Sequence, residues 1–251
     1  MLKKLKSASK IHISTLLPLA LKAIIFAVLI FVANYTGGFF WNLVFIVVSM
    51  HFYFRDSLEW KKFFYSFAIL IIYSLVITHY LIDQYLIMVS AVVFGLLFFL
   101  LLGIKKFAFI NRQMLFNLLS GALFFMVAVA FFGADKSVGF DFLLYYIGVF
   151  LAFAFLFKEA IDFLPDEFPK KKKSLFVCGA SFLIMEFAVL ASFLPIGFLN
   201  SSALIVLVAF ILEDLIFYYI KGNLNRQVVL NNLTILIIAL IFIFATSKWT
   251  P

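Results

Sequence analysis

The residues best placed to do chemistry are acids and amides set inside apolar runs. Glu186, the pair Glu213-Asp214 and the pair Asn231-Asn232 fall within three long apolar stretches between Ser174 and Thr246, whereas most other acids lie between such stretches. A carboxylate near the centre of a bilayer costs about 2.5 to 3.5 kcal/mol on insertion scales, so it faces protein or water and finds a partner. Counted at 1.5 Å per residue, Glu186 lies about 18 Å beyond Ser174, and Asp214 and Glu213 about 10 to 12 Å before Lys221. Helix side chains lean toward their own amino terminus. Consecutive spans enter from opposite sides, so Glu186 and Glu213 are expected to converge across one helical hairpin. Two carboxyls meeting there would hold a proton or a cation between them.

Neighbouring residues on a helix point about 100° apart, so only one of Glu213 and Asp214 can face Glu186. The other needs a different partner. Lys22 is about 9 Å into the first apolar run, level with Asp214 and able to pair with it. Its alternative is to snorkel to the inner headgroups. Asn231 and Asn232 sit at a similar inner depth and are expected either to hydrogen-bond the acids or to join helices as amide glue. The competing use of all these groups is structural, with buried polar pairs fixing helix register and no catalytic or transport role.

The elements that must position them follow from composition. Hydrophobic residues make up 66% of the 251 and charged residues 13%, against about half and a quarter in a soluble domain. The polar stretches are all short, so no soluble domain is expected. A bilayer-spanning helix needs about 20 apolar residues. The chain offers nine candidate spans, at 16–34, 39–54, 63–81, 85–103, 113–132, 140–157, 174–194, 200–220 and 228–246. The expected fold is all-α, a polytopic integral membrane bundle forming one membrane domain over 1–251. The charged start, with Lys3, Lys4, Lys6 and Lys10, resembles the start of a signal peptide, but the following run is too long for a signal core and reads as a retained first helix.

Basic residues fix the expected topology, because Lys and Arg collect on the cytoplasmic side. With the amino terminus inside, the inner segments hold Lys3, Lys4, Lys6, Lys10, Arg55, Lys61, Lys62, Lys105, Lys106, Arg112, Lys158, Lys170 to Lys173, Lys221 and Arg226. The outer side holds Lys136 and Lys248, a division of seventeen against two. One miscounted span would swap the sides of every later loop and destroy this asymmetry. The carboxyl terminus is therefore expected outside, in a cytoplasmic membrane.

The formal charge of +8 is explained by these flanks. No folded basic module is present, so nucleic acid is excluded as a partner. The lysines at 170 to 173 are expected to touch anionic headgroups. The segment Lys158 to Lys173 reads as the longest loop, and Asp162, Asp166 and Glu167 in it admit a magnesium-dependent lipid enzyme, although Pro165 interrupts their spacing. His51 and His79 lie near opposite membrane surfaces, too far apart to share a metal, and no zinc site is expected. The single Cys178 excludes an intrachain disulfide and reads as a packing residue. The 37 phenylalanines are expected to face lipid. Gly-x-x-x-Gly packing signals, nucleotide loops and nucleophile motifs are absent, and no cofactor is expected.

Three function classes fit these residues. A small-solute, ion- or proton-coupled transporter is favoured over catalysis. A membrane-embedded lipid or isoprenoid enzyme and a non-catalytic scaffold or partner subunit, assembled with other membrane subunits, are the alternatives. The topology has a direct check in a Cys178→Ser background. A membrane-impermeant maleimide should label Lys136→Cys on intact cells and label Lys171→Cys only after the membrane is opened. Labelling of both on intact cells would overturn the assigned sidedness.

Overall fold

The computed structural model describes residues 2–55, 63–81, 83–106, 111–133, 140–162 and 169–246, with side chains from residue 16 onward except 140–145 and 170. Among the described residues the chain is all-helical: α1 (Leu2–Thr36), α2 (Phe39–Phe54), α3 (Phe64–Tyr80), α4 (Gln84–Lys105), α5 (Arg112–Gly133), α6 (Phe140–Asp162), α7 (Lys170–Ser192), α8 (Phe198–Ile220) and α9 (Arg226–Thr246). Each expected apolar run coincides with one helix. Six of them, α1 from Leu16, α4, α5, α7 from Lys171, α8 and α9, are long and apolar enough to cross a membrane. The 16-residue α2 and 17-residue α3 are apolar but shorter.

Short polar residues place the helix ends. The Asp83 carboxylate accepts from the Tyr85 amide at 2.9 Å, starting α4. Asn111 and Asn225 do the same for Met114 and Val228, at 3.1 and 2.9 Å. Each satisfies one amide that the first helical turn leaves without a partner. Gly37 and Gly222 end α1 and α8 with φ of 60° and 69°, the left-handed conformation that glycine adopts without a Cβ clash. Phe63 adopts φ 61° without that freedom. It is held there by burial and by its ring contact to Phe116, 5.4 Å between centroids.

The expected long loop from Lys158 to Lys173 is corrected. α6 continues to Asp162, and α7 already begins at Lys170. Lys, Glu and Ala are strong helix formers and extend both helices beyond their apolar segments. The Pro169 carbonyl accepts from the amides of Lys172 and Lys173 at 3.0 and 3.1 Å, so the lysine run is the first turn of α7. Pro165, Asp166 and Glu167 lie outside the described residues.

The chain divides into two compact units, Met1–Leu119 and Ser120–Pro251, with the division inside α5. In the first, α1 packs on α4 and α2, and α3 on α4. Phe26 stacks on Phe98 at 4.4 Å and meets Phe45 edge-on at 4.9 Å, while Tyr53 stacks on Phe67 at 4.1 Å. All five rings are buried. The expectation that phenylalanines face lipid is corrected for these residues. Lipid tails are as apolar as a side chain, so burial in a membrane gains nothing from water exclusion and shape-fitting contact decides what goes inside.

That unit has two distinct ends. Asn34, Asn42 and Thr78 lie around a cleft where α1 and α3 finish and α2 begins, near the exposed Tyr35, Trp41, Tyr80 and Tyr85. At the other end α2 and α4 finish together, with Lys105 against Tyr53. Amphipathic aromatics at one end and basic residues at the other match the two interfaces of a bilayer.

In the second unit α6, α7, α8 and α9 pack in sequence. Small residues line the contacts: Ala180, Ser181, Ala188 and Ala191 on α7, and Ser201, Ser202 and Ala209 on α8, are all buried. The Ser181 and Ser202 hydroxyls donate to carbonyls on their own helices, Val177 and Phe198, both at 2.7 Å. They therefore bring no unsatisfied polarity to the interface. Outside the contacts the surface is apolar, with Val89, Val92, Val93 and Leu96 on α4 and Ile235, Ile237, Ile238, Ile241 and Phe242 on α9 exposed. Continuous apolar faces of this kind belong in lipid rather than water.

α1 and α4 approach closely at Gly95, where an added Cβ would stand 2.9 Å from the Ala27 Cβ and 3.1 Å from the Ala23 carbonyl oxygen. Gly95→Leu should destabilise the first unit by about 1 to 3 kcal/mol through overpacking. A lowered thermal midpoint in detergent reads this, and an unchanged midpoint would mean that α1 and α4 do not pack through Gly95.

Candidate functional site

The acids of α8 and the amides of α9 reach one another because the two helices run antiparallel from a short turn. Asp214 lies seven residues before Lys221 and Asn232 six residues after Arg226, so both are about 10 Å from that end. The Asn232 side-chain amide donates to Asp214 Oδ2 at 2.8 Å, and Asn232 is buried. Asn231, one residue earlier, is exposed. The 100° step between neighbours assigns one amide to the interface and turns the other away.

The same step separates the two acids. Glu213 follows Ile205 and Ala209 on the buried face of α8, at the four-residue spacing that keeps side chains on one face. Its Oε2 atom is buried and, among the described residues, accepts no hydrogen bond. A buried carboxyl oxygen without a donor is a costly arrangement that a bound cation or proton would relieve.

Glu186 does not join this group. It is exposed on α7, while the residues of α7 buried in the unit are Ala180, Ser181, Ile184, Ala188 and Ala191. Glu186 is two residues, or about 200°, from Ile184, which puts it opposite the buried face. The convergence of Glu186 and Glu213 is therefore not formed, because the small residues of α7 take the helix interface. Lys22 belongs to the first unit and its ammonium lies 5.7 Å from the centroid of the Phe52 ring.

The basic run is partly engaged. Lys173 Nζ lies 3.9 Å from Asp162 Oδ1, joining the end of α6 to the start of α7. Lys171 and Lys172 are exposed, as headgroup contact requires, and the Lys170 side chain lies outside the described residues. The ion pair occupies Asp162, the one acid of the magnesium reading within the described residues. Among those residues no group of three His, Cys, Asp or Glu could hold a metal ion.

Sequence reasoning missed two polar contacts. Lys105, counted as a loop cation, is buried, donates to the Tyr53 carbonyl at 2.7 Å and lies 3.3 Å from the Tyr53 ring centroid. It satisfies a carbonyl that the end of α2 leaves without a helical donor, and a cation is favoured at that negative end. The Asn34 amide donates to the Thr78 carbonyl across α1 and α3. Asn34 also lines a cleft of about 370 Å³ with Asn42, Thr78 and His79. Asn34 carried a signal in its place at the end of an apolar run, whereas Lys105 stands beside Lys106 beyond the expected span of 85–103 and carried none.

Comparison with protein-family models, with curated proteins and with solved structures returns no match.

Breaking the amide contact has a bounded effect. Interhelical hydrogen bonds in membranes contribute about 0.6 kcal/mol on average and about 1.7 at most. Asn232→Leu should lower stability within that range in a denaturant titration, and Asn231→Leu should change it little. Equal losses from both would refute the split assignment.

Proposed function

We propose that this chain is a multi-pass protein of the cytoplasmic membrane, nine spans with the amino terminus inside, that moves a proton or small cation, alone or coupled to a small solute. Glu213 is the working group. The single observation that carries this reading is the buried Glu213 Oε2 with no hydrogen-bond donor among the described residues. Intramembrane ionisable residues in protein interiors mark ion pathways, and this one has an acceptor atom with capacity to spare. Asp214, fixed by Asn232, supplies a second negative charge adjacent in sequence but directed elsewhere. The field of one carboxylate beside the other favours a cation over an anion. The exposed Lys171 and Lys172 contact anionic headgroups at the inner surface.

A second reading, the scaffold subunit, is favoured by the Asp214–Asn232 hydrogen bond, which joins two helices with no need of a solute. The two readings separate on Glu213. In proteoliposomes with an internal pH dye and an imposed potassium diffusion potential, the parent protein should carry proton or cation current. Glu213→Gln should reduce that current about tenfold or more, as expected for loss of an essential intramembrane carboxyl. A current that Glu213→Gln leaves intact removes the transport reading. A change in thermal midpoint with no current in either protein assigns the acids to helix pairing.

A further inference from the structure

We propose that the face of α7 formed by Gly179, Phe182, Leu183, Glu186 and Leu190 receives a transmembrane helix of another polypeptide that carries a Lys or Arg level with Glu186. All five residues are exposed and recur every three or four positions, so they form one stripe on the side opposite α6 and α8. Among the described residues no hydrogen bond or ion pair reaches Glu186. It lies thirteen residues beyond Lys173 and six before Ser192, or about 20 Å and about 9 Å from the two ends. Both distances place it inside a hydrocarbon core about 30 Å thick.

Lipid tails cannot solvate a carboxylate at that depth, and glutamate is too short to reach the headgroups. A basic side chain on a neighbouring helix meets the demand through charge complementarity. Gly179 adds room. It lies two turns from Glu186 on the same stripe, and a Cβ built there would meet nothing within 4 Å, so a partner backbone can approach closely. A second copy of this chain is a poor occupant. Lys22, the basic residue inside one of its own spans, lies about 9 Å from the inner end against about 18 Å for Glu186.

Cys178 makes the test direct. It is the one cysteine of the chain and is exposed beside this stripe, about 12 Å from Glu186 along the helix. The full chain would be reconstituted in liposomes with synthetic leucine-rich transmembrane peptides carrying a central Lys, Leu or Glu and a cysteine about two turns to either side. After mild oxidation, the Lys peptide should form a disulfide with Cys178 about threefold or more in excess of the Leu and Glu peptides, the range one membrane-buried polar contact supports. Glu186→Gln should abolish the excess and Glu186→Asp should keep it, with helical content by circular dichroism confirming that both variants fold. A parent protein that does not distinguish the Lys and Leu peptides, or an excess that Glu186→Gln leaves in place, overturns the proposal and leaves lipid as the occupant.

Discussion

The hydrogen bond from Asn232 to Asp214 is the contact on which the arrangement of the second unit's last helix depends. α9 buries only Asn232 and Ile243 among its described residues, and its other residues are half-buried or exposed. In a helix with so little packing a specific polar contact weighs heavily in setting the rotation, because an apolar solvent does not push apolar faces together. The amide fixes that rotation, and through it the rotation of α8. Asp214 is committed to α9, so Glu213, about 100° away, must enter the buried face with Ala209 and Ile205. The under-satisfied carboxyl is thus a consequence of satisfying its neighbour.

The first unit solves the same problem with rings and small residues. Ala23 and Ala27 on α1 admit Gly95 of α4, and Phe26, Phe45 and Phe98 fill the space beside that approach. Stacked and edge-on rings supply contact and quadrupole terms that do not require water to be excluded. Lys105 extends the pattern, placing its ammonium on the face of Tyr53 while bonding the Tyr53 carbonyl. Burial of a lysine near a membrane surface is tolerable because the aromatic face and the helix carboxyl end both present negative charge.

How much of this was legible in the sequence divides by physical scale. Among the described residues the nine helices coincide with the expected apolar runs, because apolar length is a local signal; the caps at Asp83, Asn111 and Asn225, which act within one turn, were not read from the sequence. The loop before α7 is shorter than expected because the helix propensity of its lysines outlasts the apolar run. The rule that adjacent residues diverge by about 100° correctly anticipated that Glu213 and Asp214 would have different surroundings. It also applies to Asn231 and Asn232. What failed was choosing the packing face of α7. Depth and side-chain lean favoured Glu186, but Ala180, Ile184, Ala188 and Ala191 form a small-residue stripe on the opposite side, and close backbone approach prevailed over carboxyl pairing. The Ala23 and Ala27 pair was overlooked for a similar reason, since a search for paired glycines misses alanine in the same role.

One helical hairpin therefore presents two carboxyls on opposite sides of its interface, and this geometry separates their possible tasks. Glu213 turns its Oε2 atom into the buried face of α8, where no donor among the described residues reaches it. Glu186 stands on an open face, where an entire side chain from another helix can approach. A mechanism that couples them would have to act through α7 itself, whose buried stripe contains nothing larger than Ile184. That stripe packs by close small-residue contact.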